Sequence, residues 1–195
     1  MKTLALSAIA TLLALPAHAA DTPDLAPQRA AATALVQQLG AELKKEIAAN
    51  GPEGAIGVCK ELAPKIAGEL SRKEGWKLTR VSLKTRNPML GTPDAWEQQV
   101  LQQFDARAAA GDKPETLEIA EVVQEPAGRY LRYAKAIPMQ AQCVACHGGA
   151  EDVKPAVQAR LAETYPHDRA TGYAPGMVRG AISIKQALAG AAMAK

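Results

Sequence analysis

The chain has 195 residues, a formal charge of +3, 4% aromatic residues and three cysteines. No basic run carries interleaved aromatics, which argues against a nucleic-acid partner. Beyond the first twenty residues, no stretch approaches the roughly 20 apolar residues needed to span a bilayer. The length suits one domain. With two Trp, four Tyr and one Phe, its core must be filled by aliphatic side chains or by a bound apolar group.

Residues 1–20 read as a signal peptide: Lys2, an apolar run from Leu4 to Leu15, then the small-residue pattern Pro16-Ala17-His18-Ala19-Ala20. Cleavage there would leave residues 21–195 as a single exported, periplasmic domain, not an integral membrane protein. Residues 28–49 predict an amphipathic helix, with Leu35, Val36, Leu39, Leu43 and Ile47 at three- and four-residue steps, stopped by Asn50-Gly51-Pro52. A second helix is predicted over 54–73, with Ile56, Cys59, Leu62, Ile66 and Leu70 on one stripe. Pro64 should unsettle one of its turns.

Residues 76–83 alternate as a strand does. Thr92 is the expected cap of a helix begun by Pro93 that turns Trp96, Val100, Leu101 and Phe104 inward. Residues 116–124 and 130–137 predict a hairpin across Glu125-Pro126-Ala127-Gly128. A helix over 154–164 and a strand over 178–185 close the chain. Helices first and strands after predict an α+β domain with an antiparallel sheet, flanking helices and a helical N-terminal segment.

Between the hairpin and the last helix stands Cys143-Val144-Ala145-Cys146-His147. Cys-x-x-Cys-His is the attachment sequence for c-type haem. Two thiols so spaced can add to the two vinyl groups of one porphyrin, and the next residue can then reach the iron with its imidazole. The competing readings are a thioredoxin-type redox disulfide, a structural disulfide closing a very small loop, and a zinc site drawing on Cys59, Cys143, Cys146 and one His. Export favours one covalent haem c. The motif lies late in the chain and is followed by a helix and a strand, unlike that of small soluble cytochromes or four-helix-bundle cytochromes.

Cys59 is then an odd thiol in an oxidising compartment. It is either a core residue, since Cys packs as a small hydrophobe, or the second axial ligand. Met89, Met139, Met177 and His167 compete for that role. Arg80, Lys84 and Arg86 form a basic cluster, either solvated or pairing with haem propionates.

Four stretches together resemble a family of c-type haem proteins with a PAS-like fold, long known as a domain of unknown function. They are Ala55–Pro64, Arg80–Pro88 continuing through Pro93–Glu97, Cys143–Gly148, and Tyr165–Tyr173 with Arg179–Ser183. Members stand alone or serve as sensor modules of histidine kinases and chemoreceptors. The resemblance implies a PAS-like sheet with flanking helices. It also implies that His147 and Cys59 are the axial pair, Cys59 matching the family's unusual thiolate ligand. Where members often carry an acidic residue, this chain has Met177. A thiolate would stabilise ferric iron, and its departure on reduction would open a position to CO or NO. The function implied is redox or diatomic-gas sensing through a signalling partner. The alternative is a low-potential periplasmic electron carrier with a redox partner. An enzyme is disfavoured, because six-coordinate iron leaves no substrate position and three histidines offer no acid–base constellation.

Overall fold

A computed structural model describes residues 23–188. The expected signal at residues 1–20 lies outside them. Helix α1, Ala26–Gly57, is two helical segments joined at Gly51, whose φ of 72° only glycine adopts readily. This is the break that Asn50-Gly51-Pro52 predicts. After α1 the chain makes a π turn, Val58–Leu62, and continues as α2, Ala63–Glu74. Pro64 accounts for the turn: it has no N–H to close the α-helical bond one turn back, so the helix widens there. Cys59 lies inside this widened turn. Gly75, with φ of 71°, ends α2.

Strand β1 is Lys77–Val81, the short helix α3 is Pro88–Gly91, and α4 is Ala95–Ala109. The expected cap at Thr92 is corrected. Asp94 caps α4, its carboxylate accepting from Glu97 N while Glu97 accepts from Asp94 N in a capping box. Thr92 instead donates its hydroxyl to Pro88 O. Of the four α4 residues expected inward, Val100, Leu101 and Phe104 are buried. Trp96 is half-buried, with its indole N–H on Glu121.

The hairpin forms as expected, from β2, Glu118–Glu125, and β3, Gly128–Pro138. Short helices α5, Val144–His147, and α6, Pro155–Thr164, precede β4, Val178–Ala187. The sheet order is β1-β4-β3-β2, antiparallel throughout. The fold is α+β, an antiparallel sheet with flanking helices behind a helical N-terminal segment.

Side chains alternate across the strands, so the sheet has two covered faces. On one, Leu78, Tyr133, Ile182 and Ile184 pack against Leu35, Leu39, Ala63, Ile66 and Leu70 of α1 and α2. On the other, Val81, Ala134, Ala136 and Ala181 pack against Val100, Leu101 and Phe104 of α4. The core is therefore mainly aliphatic. Among the described residues, no helix is long and apolar enough to cross a membrane.

Candidate haem site

The Cys-x-x-Cys-His segment lies where β3 hands over to the loops before β4. Met139 N donates to Met177 O and Gly176 N to Met139 O, fixing the exit from the sheet. The chain then winds through a 3-10 turn at Ala141–Cys143 into α5. One helical turn brings Cys143, Cys146 and His147 together, and all three are half-buried. Beyond α5 the backbone is clamped to the loop before β4, with Tyr173 N on His147 O at 2.9 Å and Gly172 N on Gly148 O at 2.7 Å.

The imidazole is held at one nitrogen. Nδ1 of His147 lies 2.7 Å from Ala170 O. A carbonyl oxygen only accepts, so this contact places the proton on Nδ1 and leaves the Nε2 lone pair for a metal. Burial pushes the His147 pKa well below its ordinary value, and the charges of Arg179, Arg86 and Arg80 push the same way. The ring is thereby kept neutral, the form that ligates.

Cys59 is half-buried in the π turn, three residues after Ile56, which belongs to the cluster that Cys146 packs against. Burial pushes the Cys146 thiol up, and pushes Tyr165 up to about 12. Cys146 itself packs against Ile56, Val153, Val157, Leu161 and Tyr165, which joins the end of α1 to α6. Among the described residues no disulfide joins the three cysteines. Among the described residues, no group of three His, Cys, Asp or Glu side chains could hold a metal ion. A zinc cage of four protein ligands therefore has no counterpart here. A planar metal group needs only the two spaced thiols and a ligand on each side, and the donor set fits it.

The other sixth-ligand candidates stand differently. Met89 is 90% exposed and Met177 47% exposed, the latter's sulfur accepting from Ala174 N. His167 is exposed. Met139 is buried beside Ala170 and Tyr173, with Cys143 and Val144 packed against them.

The three predicted bases have distinct surroundings. Arg86 is buried, its Nε 3.0 Å from Asp168 Oδ2 and its Nη2 2.5 Å from Cys146 O. It braces the haem segment from within. Lys84 donates from Nζ to Thr171 O at 2.6 Å and lies over the Tyr173 ring. Arg80 is half-buried, and its charge acts on His147, Tyr165 and Arg179.

Sequence reading missed Arg179, Ala170 and the roles of Tyr165 and Tyr173. Arg179 contacts His147, Ser82 and Tyr173. Its signal was a charge at the head of a strand, just before the small and apolar run Gly180–Ile182. Ala170 acts through its backbone, which no sequence pattern marks.

The family model described as Tll0287-like matches residues 11–187. A solved structure, that of the cyanobacterial heme-protein Tll0287, is similar with a TM-score of 0.58 and 27% identity, over 82% of this chain and 89% of that one. No curated protein matches. The family match runs through the helical segment, all four strands and every residue of the site just described, and the chain belongs to the Tll0287-like family.

Proposed function

We propose that the chain is an exported, periplasmic, single-haem c-type haem protein that senses redox state or a diatomic gas. Cys143 and Cys146 would attach the haem through thioethers, with His147 and Cys59 as axial ligands. The reading is supported by the placement of Cys59: a half-buried thiol in a widened turn, three residues after Ile56, which belongs to the cluster that Cys146 packs against. The similar solved structure is that of a heme-protein, which supports the cofactor.

A bound haem would supply a one-electron iron centre. The chain's own residues govern its ligation. Ala170 O fixes the His147 tautomer, and Arg86 holds the backbone between Cys146 and Ala170. Cys59, as a thiolate, favours the ferric state, because the added positive charge compensates the buried anion. With haem bound, reduction by a redox partner would weaken the hold on Cys59, which would take up a proton and withdraw. The π turn carries Cys59 and is the segment that would have to yield. Withdrawal of Cys59 would leave a position for CO or NO and would move the α1–α2 junction, which a signalling partner could read.

The test is a set of ultraviolet–visible and electron-paramagnetic spectra of the mature protein in both redox states, with and without CO. Thiolate-type low-spin ferric spectra, and CO binding only after reduction, are expected. Unchanged ligation through the redox cycle, with fast electron exchange to a soluble partner, would replace sensing with electron transfer.

A further inference from the structure

The charges around His147 do not balance. Arg80, Lys84, Arg86 and Arg179 gather there, and Asp168 is the carboxylate paired to any of them among the described residues, through Arg86. Arg86 is further occupied by Cys146 O, and Lys84 by Thr171 O. Arg179 is different. Its Nη1 donates to Ser82 Oγ at 2.9 Å and to Lys84 O at 3.4 Å, and its guanidinium carbon lies 5.3 Å from the centre of the Tyr173 ring. These partners are neutral. Arg179 is half-buried, and none of these partners supplies the negative charge that would compensate its own.

The contact with His147 sharpens the point. Arg179 Nε lies 3.2 Å from His147 Nδ1, the same atom that faces Ala170 O at 2.7 Å. The carbonyl requires a hydrogen on Nδ1, whereas the Arg179 N–H requires a lone pair there. Both cannot be satisfied. With His147 in its ligating tautomer, the Arg179 N–H needs another acceptor.

We infer that Arg179 takes a carboxylate of the bound haem and, held against His147, is the positioning residue whose positive charge raises the reduction potential of the iron. This rests on the haem reading proposed for the site. A fork of two N–H donors suits a carboxylate, and that carboxylate is the acceptor the Nε–H lacks. A positive charge beside the proximal imidazole favours the reduced, less positive iron, opposing the thiolate of Cys59.

The experiment compares haem-loaded wild type with Arg179→Gln and Arg179→Lys. Haem surviving acid–acetone extraction, thermal midpoint and spectroelectrochemical potential are measured on each. Arg179→Gln should keep its covalent haem, because Cys143 and Cys146 are untouched. Its oxidised form should be favoured on the order of tenfold, ~59 mV for one electron. Arg179→Lys keeps the charge but not the fork, and should move about threefold in the same direction. If Arg179→Gln does not accumulate, the Lys variant decides alone: a potential equal to that of wild type overturns the inference. A lowered thermal midpoint with an unaltered potential in Arg179→Gln also overturns it, leaving Arg179 as a brace for Ser82 and the 84 carbonyl. Wild type without acid-resistant haem would bring down this inference and the haem reading together. Haem-loaded wild type with unresponsive variants brings down this inference alone.

Discussion

His147 Nδ1 and Ala170 O stand 2.7 Å apart, so a backbone atom of the loop before β4 decides which imidazole nitrogen faces the metal. The geometry depends on Gly148, the next residue. A Cβ there would lie 2.6 Å from Asp152 Cβ and 2.7 Å from Val144 Cγ1. Gly148→Ala must therefore displace the turn at Asp152 or the Val144 side chain, and with them the Gly148 backbone whose carbonyl accepts from Gly172 N. It should cost about 1–3 kcal/mol by overpacking and weaken His147 ligation while leaving thioether attachment intact. Chemical denaturation and the ferric spectrum check both. An unchanged low-spin spectrum would show that the clamp does not orient His147.

The Arg86–Asp168 pair is the second brace. Both side chains are nearly buried, 9% and 11% exposed, and Arg86 also satisfies Cys146 O. Removing one partner strands a buried charge, at a cost of about 3–5 kcal/mol. Arg86→Met and Asp168→Asn should each lower the thermal midpoint sharply. Arg86→Lys should recover little, because an ammonium cannot reach a carboxylate and a carbonyl in the same plane. Full recovery by Lys would reduce Arg86 to a point charge.

The α1 helix is tied to the sheet by Arg29, Glu118 and Tyr133. Arg29 Nη2 lies 2.6 Å from Glu118 Oε1, and Tyr133 donates its hydroxyl to Glu118 Oε2 at 3.0 Å. The Arg29 hydrogen bond holds the Glu118 carboxyl below the usual carboxylate range. A carboxyl so depressed contributes stability above its unfolded pKa and loses it as pH falls through the folded one. Acid titration of unfolding should therefore show a loss of stability below the usual Glu range. Glu118→Gln should flatten that part of the profile. A profile identical to wild type would exclude Glu118 as a contributor.

How much of this could be read from sequence depends on the range of the interaction concerned. The haem segment, the hairpin turn at 125–128 and the break at Gly51 are local, and their residues announce them. Pro64 announces a disturbed turn, but the π geometry emerges only with α1 and α2 packed on the sheet. Arg86 reads as a solvated loop base until Asp168, far along the chain, buries it. Arg179 reads as a strand-end charge until Ser82 and Tyr173 enclose it. The attachment motif was thus legible, whereas the groups that tune His147 were not, because each acts across a tertiary contact or through a backbone carbonyl.

The decisive prediction concerns Cys59. It sits half-buried in the π turn that Pro64 imposes, three residues after Ile56, which belongs to the cluster of Cys146 and Tyr165. Its rival Met177 is 47% exposed with its sulfur turned to Ala174 N. If Cys59 is the sixth ligand, ferric Cys59→Ser should lose the thiolate-type low-spin spectrum and gain an open or water-bound position. Met177→Leu should keep the wild-type spectrum. The potential of Cys59→Ser should rise, because the anion that favoured ferric iron is gone. That shift is opposite in sign to the one expected of Arg179→Gln, so the double variant should lie between the two singles if the two charges act independently. Haem should survive acid–acetone extraction in all of them, since Cys143 and Cys146 are intact. A Cys59→Ser protein with the wild-type ferric spectrum and potential would take the thiolate off the iron, and the release of Cys59 as a sensing step would go with it.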